Sequence, residues 1–132
     1  MNELFVDIVL EDAPETASIA GRRYYAHLPK GYLWELSEAY LYRDTSKAAS
    51  ATDCVLIKLY RGSDDVVMAT CSGAAALTQA NTMTLGTALI VDAAAAAATV
   101  YVAAVNSGAG EAMGEGLRVT ARFKARKPGV AA

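Results

Sequence analysis

The sequence predicts an all-β fold, an antiparallel sandwich or barrel of about eight strands. Three observations carry that expectation. Leu117 to Arg126 (LRVTARFKAR) alternates without a slip, with Leu117, Val119, Ala121, Phe123 and Ala125 set against Arg118, Thr120, Arg122, Lys124 and Arg126. That period of two belongs to a strand with one face in a core. Other short runs of β-branched and aromatic residues recur between turn-forming clusters, and no long segment repeats at helical period. At 132 residues the chain suits one domain. A domain near this size buries roughly two thirds of its unfolded-chain surface.

The elements follow in order. From Leu4 to Leu10, Leu4, Val6, Ile8 and Leu10 alternate with Phe5, Asp7 and Val9. Arg22 to Leu28 precedes the breaker Pro29-Lys30-Gly31. Tyr32 to Arg43 (YLWELSEAYLYR) is a long strand whose alternation falters at Ser37-Glu38, which predicts a bulge. Asp53 to Arg61 and Val66 to Thr70 flank the turn chemistry of Gly62, Ser63 and Asp64, so 53–70 reads as a hairpin. Residues 74–81 (AAALTQAN) are expected to form one short helical turn, and residues 11–21 another. Leu85 to Asp92 and Thr99 to Asn106 are strands. Lys127-Pro128-Gly129 ends the alternating strand.

Ala93 to Ala98 is six alanines in a row. Helix nucleation is costly, and isolated helices need roughly 12–15 residues. Strand formers flank the run on both sides, so it reads as a closely packing connection with at most one helical turn. The 28 alanines also inflate the apolar fraction of 54%. Each buries little area, so the core must come from Val, Leu, Ile and the aromatics.

A net charge of −2 gives no global basic field for nucleic acid or anionic lipid. The charges are segregated, however. Residues 1–16 hold Glu3, Asp7, Glu11, Asp12 and Glu15 with no base, and residues 117–132 hold Arg118, Arg122, Lys124, Arg126 and Lys127 with no acid. The two ends are complements, free to pair within one subunit or between neighbours. Glu3, Asp7, Glu11, Asp12, Arg118, Arg122 and Lys124 are therefore candidate contact residues.

Catalytic patterns are thin. The one histidine, His27, has no GxSxG partner motif, and beside tyrosines it reads as a surface or interface residue. Cys54, Cys71 and His27 lack metal-ligand spacing, and Asp64-Asp65 reads as a hairpin tip, not a Ca²⁺ loop. The glycines of SGAGEAMGEG lead into a strand and lack the Lys-Ser/Thr of a phosphate loop. Glu35 and Glu38 share a strand, and only a bulge would bring them together for glycoside chemistry. No enzyme activity, metal or cofactor is expected. Two cysteines make no disulfide framework and read as reduced, buried thiols. The N-terminus lacks a basic leader and reads as no signal peptide, and no window of roughly 20 apolar residues predicts a membrane span.

Six of the ten aromatics fall between residues 24 and 42: Tyr24, Tyr25, Tyr32, Trp34, Tyr40 and Tyr42. They read first as a core layer, second as a protein contact and third as a sugar-stacking platform. Tyr24, Tyr25 and Trp34 are the interface candidates. RNA binding is disfavoured, because the basic residues sit at the other end of the sequence.

The run from Gly31 to Arg126 resembles the small jelly-roll proteins that decorate tailed-phage heads, the cement or decoration proteins. A long first strand (GYLWELSEAYLYR), a small-residue loop (DTSKAASATD) and a hairpin (CVLIKLYRGSDDVVMAT) carry the likeness. An alanine-rich connector (SGAAALTQANTM), an alanine-rich turn before a strand (DAAAAAATVYVAAV) and a glycine loop before the last strand (SGAGEAMGEGLRVTARF) complete it. The resemblance implies a sandwich of jelly-roll type over residues 31–132, with residues 1–30 as an arm or added strands of the same single domain. It also implies a homotrimer on the outer surface of the virion that clamps neighbouring copies of the major capsid protein at threefold positions. Neither nucleic acid nor membrane is implied as a partner. Similar patterns occur in phage fibre and receptor-binding modules, so glycan recognition through the 24–42 aromatics is the alternative.

Overall fold

The computed structural model of the chain describes residues 3–10, 23–43, 55–72, 76–106 and 117–126. Ten strands form within them: β1 (Glu3–Val9), β2 (Arg23–Leu28), β3 (Tyr32–Tyr42), β4 (Val55–Arg61), β5 (Val66–Ser72), β6 (Ala80–Thr82), β7 (Thr84–Leu85), β8 (Ile90–Ala93), β9 (Ala98–Asn106) and β10 (Arg118–Arg126). Among the described residues there is no helix. The helical turn expected within 74–81 is corrected over its described residues, 76–81. Ala80–Thr82 pairs with β3 instead, and Asn81 Nδ2 donates to the Leu41 carbonyl at 3.2 Å. Pairing to a neighbouring strand outweighs the local preference of alanine. The turn expected within 11–21, the glycine loop at 107–116, and Glu11, Asp12 and Cys54 lie outside the described residues.

The strands make two antiparallel sheets packed as a sandwich. The first runs β1-β10-β3-β6, with β8 also on β3, and the second runs β2-β9-β4-β5-β7. Strand β6 pairs with the end of β3 at Tyr40–Tyr42, and β8 pairs with its start at Tyr32–Glu35. Between them, β7 crosses to pair with β5 in the other sheet. Taken as one interrupted strand, β6 to β8 reduces ten strands to eight, and the sheet orders become 1-8-3-6 and 2-7-4-5. That is the two-sheet jelly-roll order. Strands β1 and β2 are edge strands, one in each sheet.

Period-two alternation places the core. From the first sheet, Ile8, Leu36, Leu41, Leu117, Val119, Ala121 and Phe123 point inward, and from the second Leu28, Ile57, Leu59, Met68, Val100 and Val102. All of these are almost fully buried, and Phe123 is the largest side chain with no exposure. The expected bulge is present in β3. Arg122 stands opposite Glu38, but Phe123 stands opposite Leu36, so Ser37 is the extra residue. Its hydroxyl donates to the Arg122 carbonyl at 3.0 Å. The bulge flips the pleat, and this decides the fate of the aromatics: Trp34 points inward, while Tyr40 and Tyr42 accompany Glu38 on the outer face.

The β4–β5 hairpin is locked at its tip. Arg61 holds Asp64 with a two-pronged fork (Nε to Oδ1 2.9 Å, Nη2 to Oδ2 2.6 Å), and its Nη1 donates to the Ile90 carbonyl at 2.8 Å. One guanidinium thereby closes the turn and ties it to the other sheet. Asp65 takes the left-handed conformation at φ 58°, which Asp tolerates better than most residues. Gly62 donates its N–H to the Thr99 carbonyl at 2.8 Å. The alanine run is a connection, as its length implies: β8 ends at Ala93, β9 begins at Ala98, and Asp92 Oδ1 accepts from the Ala94 N–H at 3.0 Å. With Gly62 and Ser63 it borders a shallow hollow of about 460 Å³.

Candidate functional site

The sandwich presents two outer faces, and each collects side chains that the sequence scatters. On the first sheet, β1 lies antiparallel to β10, with Glu3 opposite Lys124 and Asp7 opposite Thr120. The acidic and basic ends are therefore neighbours within one subunit. Arg122 pairs with Glu3 on one side and with Glu38 on the other, the second contact at 3.3 Å. Arg126 Nε donates to Glu35 at 3.1 Å, Thr120 donates to Asp7 at 2.5 Å, and the Arg118 guanidinium lies 4.9 Å from the centre of the Tyr42 ring. The hydrogen bond from Arg122 holds the Glu3 carboxyl below its ordinary pKa. Exposed ion pairs of this kind contribute little each. Phe5 and Val9 stay open beside them at 63% and 53% exposure.

On the second sheet, Tyr25, Tyr101 and Tyr60 stand side by side on β2, β9 and β4 in one cross-strand row. Tyr60 stacks on Tyr101 with ring centres 4.8 Å apart and planes 9° from parallel. Tyr25 tilts against Tyr101 at 5.4 Å, and the Arg23 guanidinium sits 4.6 Å from the Tyr101 ring centre. The Tyr101 hydroxyl donates to Asp65 Oδ1 at 2.8 Å, and Arg23 reaches the same carboxylate at 3.9 Å. Only 3% of Tyr101 is exposed, so it is the covered keystone of the cluster. In the next row Arg23, Ala103 and Lys58 are in register. Arg23, Tyr60, Asp65, Tyr101, Ala103 and Val105 border a trough of about 340 Å³.

Tyr101 carries a measurable signature. Burial first, and then its bond to Asp65, push its phenol up to about 12. A pKa raised on folding supports stability fully below the unfolded value near 10, and that support is lost as pH rises through about 12. Absorbance titration at alkaline pH is expected to show a tyrosinate that forms about two units late, and Tyr101→Phe is expected to remove it. A single transition near pH 10 in both proteins would contradict the packing described.

The structure disperses the 24–42 aromatics. Trp34 is a correction to the contact candidates: only 4% is exposed, and its Nε1 donates to the Pro29 carbonyl at 2.9 Å at the edge of the core. Tyr24 packs against the core, and its buried hydroxyl has no hydrogen-bond partner among the described residues. Tyr25, 56% exposed, reaches the outer face of the second sheet. Tyr40 and Tyr42 belong to the opposite outer face. The cluster that does form takes Tyr60 and Tyr101 from strands remote in sequence. Its signal lies in their parity, since Tyr101 alternates with buried Val100 and Val102, and Tyr60 with buried Leu59.

Other chemistry is sparse. His27 Nδ1 lies 3.3 Å from the Thr99 hydroxyl, an exposed cross-strand contact in which no carboxylate orients the ring among the described residues. Glu35 and Glu38 are engaged by Arg126 and Arg122. No group of three or more His, Cys, Asp or Glu fit to hold a metal occurs among the described residues. Cys71 is buried and free, and burial raises its thiol pKa. Among the described residues no helix is long and apolar enough to cross a membrane.

No family model matches this chain, and no curated protein matches it. Among solved structures, a chain in the structure of infectious bursal disease virus, Gt strain, is similar over 93% of this chain at 12% identity, with a TM-score of 0.33. This chain spans 30% of that chain's length. A likeness at that level carries no argument about function.

Proposed function

We propose that the chain is a structural virion protein with no catalytic role. In this reading it decorates a tailed-phage head from outside as a homotrimer and braces neighbouring copies of the major capsid protein. One observation carries the reading: a tyrosine–arginine cluster, of the residue types enriched at protein-contact hot spots, is held on the outer face of the second sheet. Side chains already locked by stacking lose little entropy on docking. Many copies on one lattice then gain avidity from individually modest contacts.

The charge segregation supports this reading less than the sequence implied. Glu3, Asp7 and Arg122 are engaged within one subunit, so contacts between copies rest on exposed Phe5 and Val9, with Arg118 and Lys124 beside them. The glycan alternative loses its platform, because Trp34 is buried and the remaining rings divide between opposite faces.

Native mass measurement tests the reading. The protein alone is expected at three chain masses. Mixed with empty heads of the virus that encodes it, prepared without this chain, it is expected to add mass in whole multiples of the trimer. A monomer at all concentrations, together with heads of unchanged mass, would contradict it.

A further inference from the structure

We propose that the trough on the outer face of the second sheet docks a protein segment that presents a carboxylate beside an apolar side chain, and, resting on the decoration reading, that this segment belongs to the capsid protein. Charge defines the occupant. Arg23 and Lys58 stand on either side of Ala103 in one cross-strand row. Asp65, at the rim, already accepts the Tyr101 hydroxyl and faces Arg23. A carboxylate set over Ala103 thus meets two cations, and the small side chain below lets it approach closely. On either side, Tyr25 and Val105, 56% and 41% exposed, leave apolar surface uncovered for the neighbouring side chain.

The same features disfavour the other occupants. A second copy docking through this same face would set Arg23, Lys58 and Asp65 against the same three groups, a contact with a net excess of like charge, which complementary interfaces avoid. A sugar needs an open aromatic face. Tyr60 and Tyr101 cover one another, and Arg23 lies on the Tyr101 ring, which leaves Tyr25 as the one well-exposed ring of the row. Preorganisation adds to this, because the Arg23 guanidinium already lies over the Tyr101 ring, whose hydroxyl is bonded to Asp65, before any partner arrives.

The test compares wild type, the double variant Arg23→Glu/Lys58→Glu and the single variant Tyr25→Ser. Each is assayed for binding to empty heads, for native mass alone and on a glycan array, with circular dichroism to confirm the fold. Both variants are expected to bind heads at least about thirty-fold more weakly than wild type, the equivalent of a ~2 kcal/mol hot spot. If the double variant does not fold, Tyr25→Ser decides. Folded variants that bind as tightly as wild type overturn the docking site and leave the decoration reading standing. Wild type that fails to bind heads overturns the decoration reading, and this inference with it. A glycan bound by wild type and lost in Tyr25→Ser, or an oligomer that falls apart in the variants, overturns the site in favour of a sugar or of a second copy.

Discussion

Phe123→Ala lowers the folding stability by about 3–5 kcal/mol, the range for truncating a fully buried Phe. Phe123 lies on β10 between Leu4 of β1 and Leu36 of β3 and has no exposed surface. Removing the ring forfeits its transfer free energy and leaves a cavity. The cavity closes poorly, because β10 is clasped between two strands by its ladders and cannot shift without breaking one of them. Chemical denaturation reads the loss as a lower midpoint with an unchanged slope. A domain of this kind has about 5–15 kcal/mol in total, so the variant sits near the threshold of folding. A loss under ~1 kcal/mol would place Phe123 outside the core.

Gly62→Ala is expected to cost about 2–3 kcal/mol, at the upper end of ordinary single substitutions. A Cβ at this position would sit 2.6 Å from the Thr99 carbonyl oxygen and 3.1 Å from the Thr99 Cβ. The obstacle is backbone, so no side-chain rotation relieves it. Strand β9 must move away, and the Gly62 N–H to Thr99 bond goes with it. The glycine is required by close approach, since its φ is not in the left-handed region. Gly31, at φ +113° with open space around it, is required for the opposite reason. Denaturation midpoints of Gly62→Ala against wild type test this, and an unchanged midpoint would mean that β4 and β9 are not held this closely.

Much of the fold was legible in the sequence because the strongest signals were local. The alternation of β10, the hairpin around Asp64 and the falter at Ser37 all come from a few adjacent residues, and all are found in the structure. Leu85 to Asp92 reads as one continuous strand, but the structure keeps only its two ends, in β7 and β8, breaks it over 86–89 and adds β6 before it; that interruption was not legible. The pieces are two to four residues long and are specified by partners on β3 and β5, not by their own pattern. The site was less legible still. Proximity in sequence grouped Tyr24 to Tyr42, but one bulge and the division into two sheets sent those rings to three places. The real cluster needed the pairing of β2, β9 and β4, which only the topology supplies. The charge segregation marks complementary ends, and the antiparallel pairing of β1 with β10 joins Glu3 to Arg122 within one subunit.

The proposed role is tested most directly by a density map of empty heads mixed with this protein, resolved well enough to trace strands. The account predicts a two-sheet block on the outer surface, with Tyr25, Arg23 and Lys58 turned toward a carboxylate of the subunit beneath. Copies seated with that face open to solvent, or heads with no such block, would contradict it.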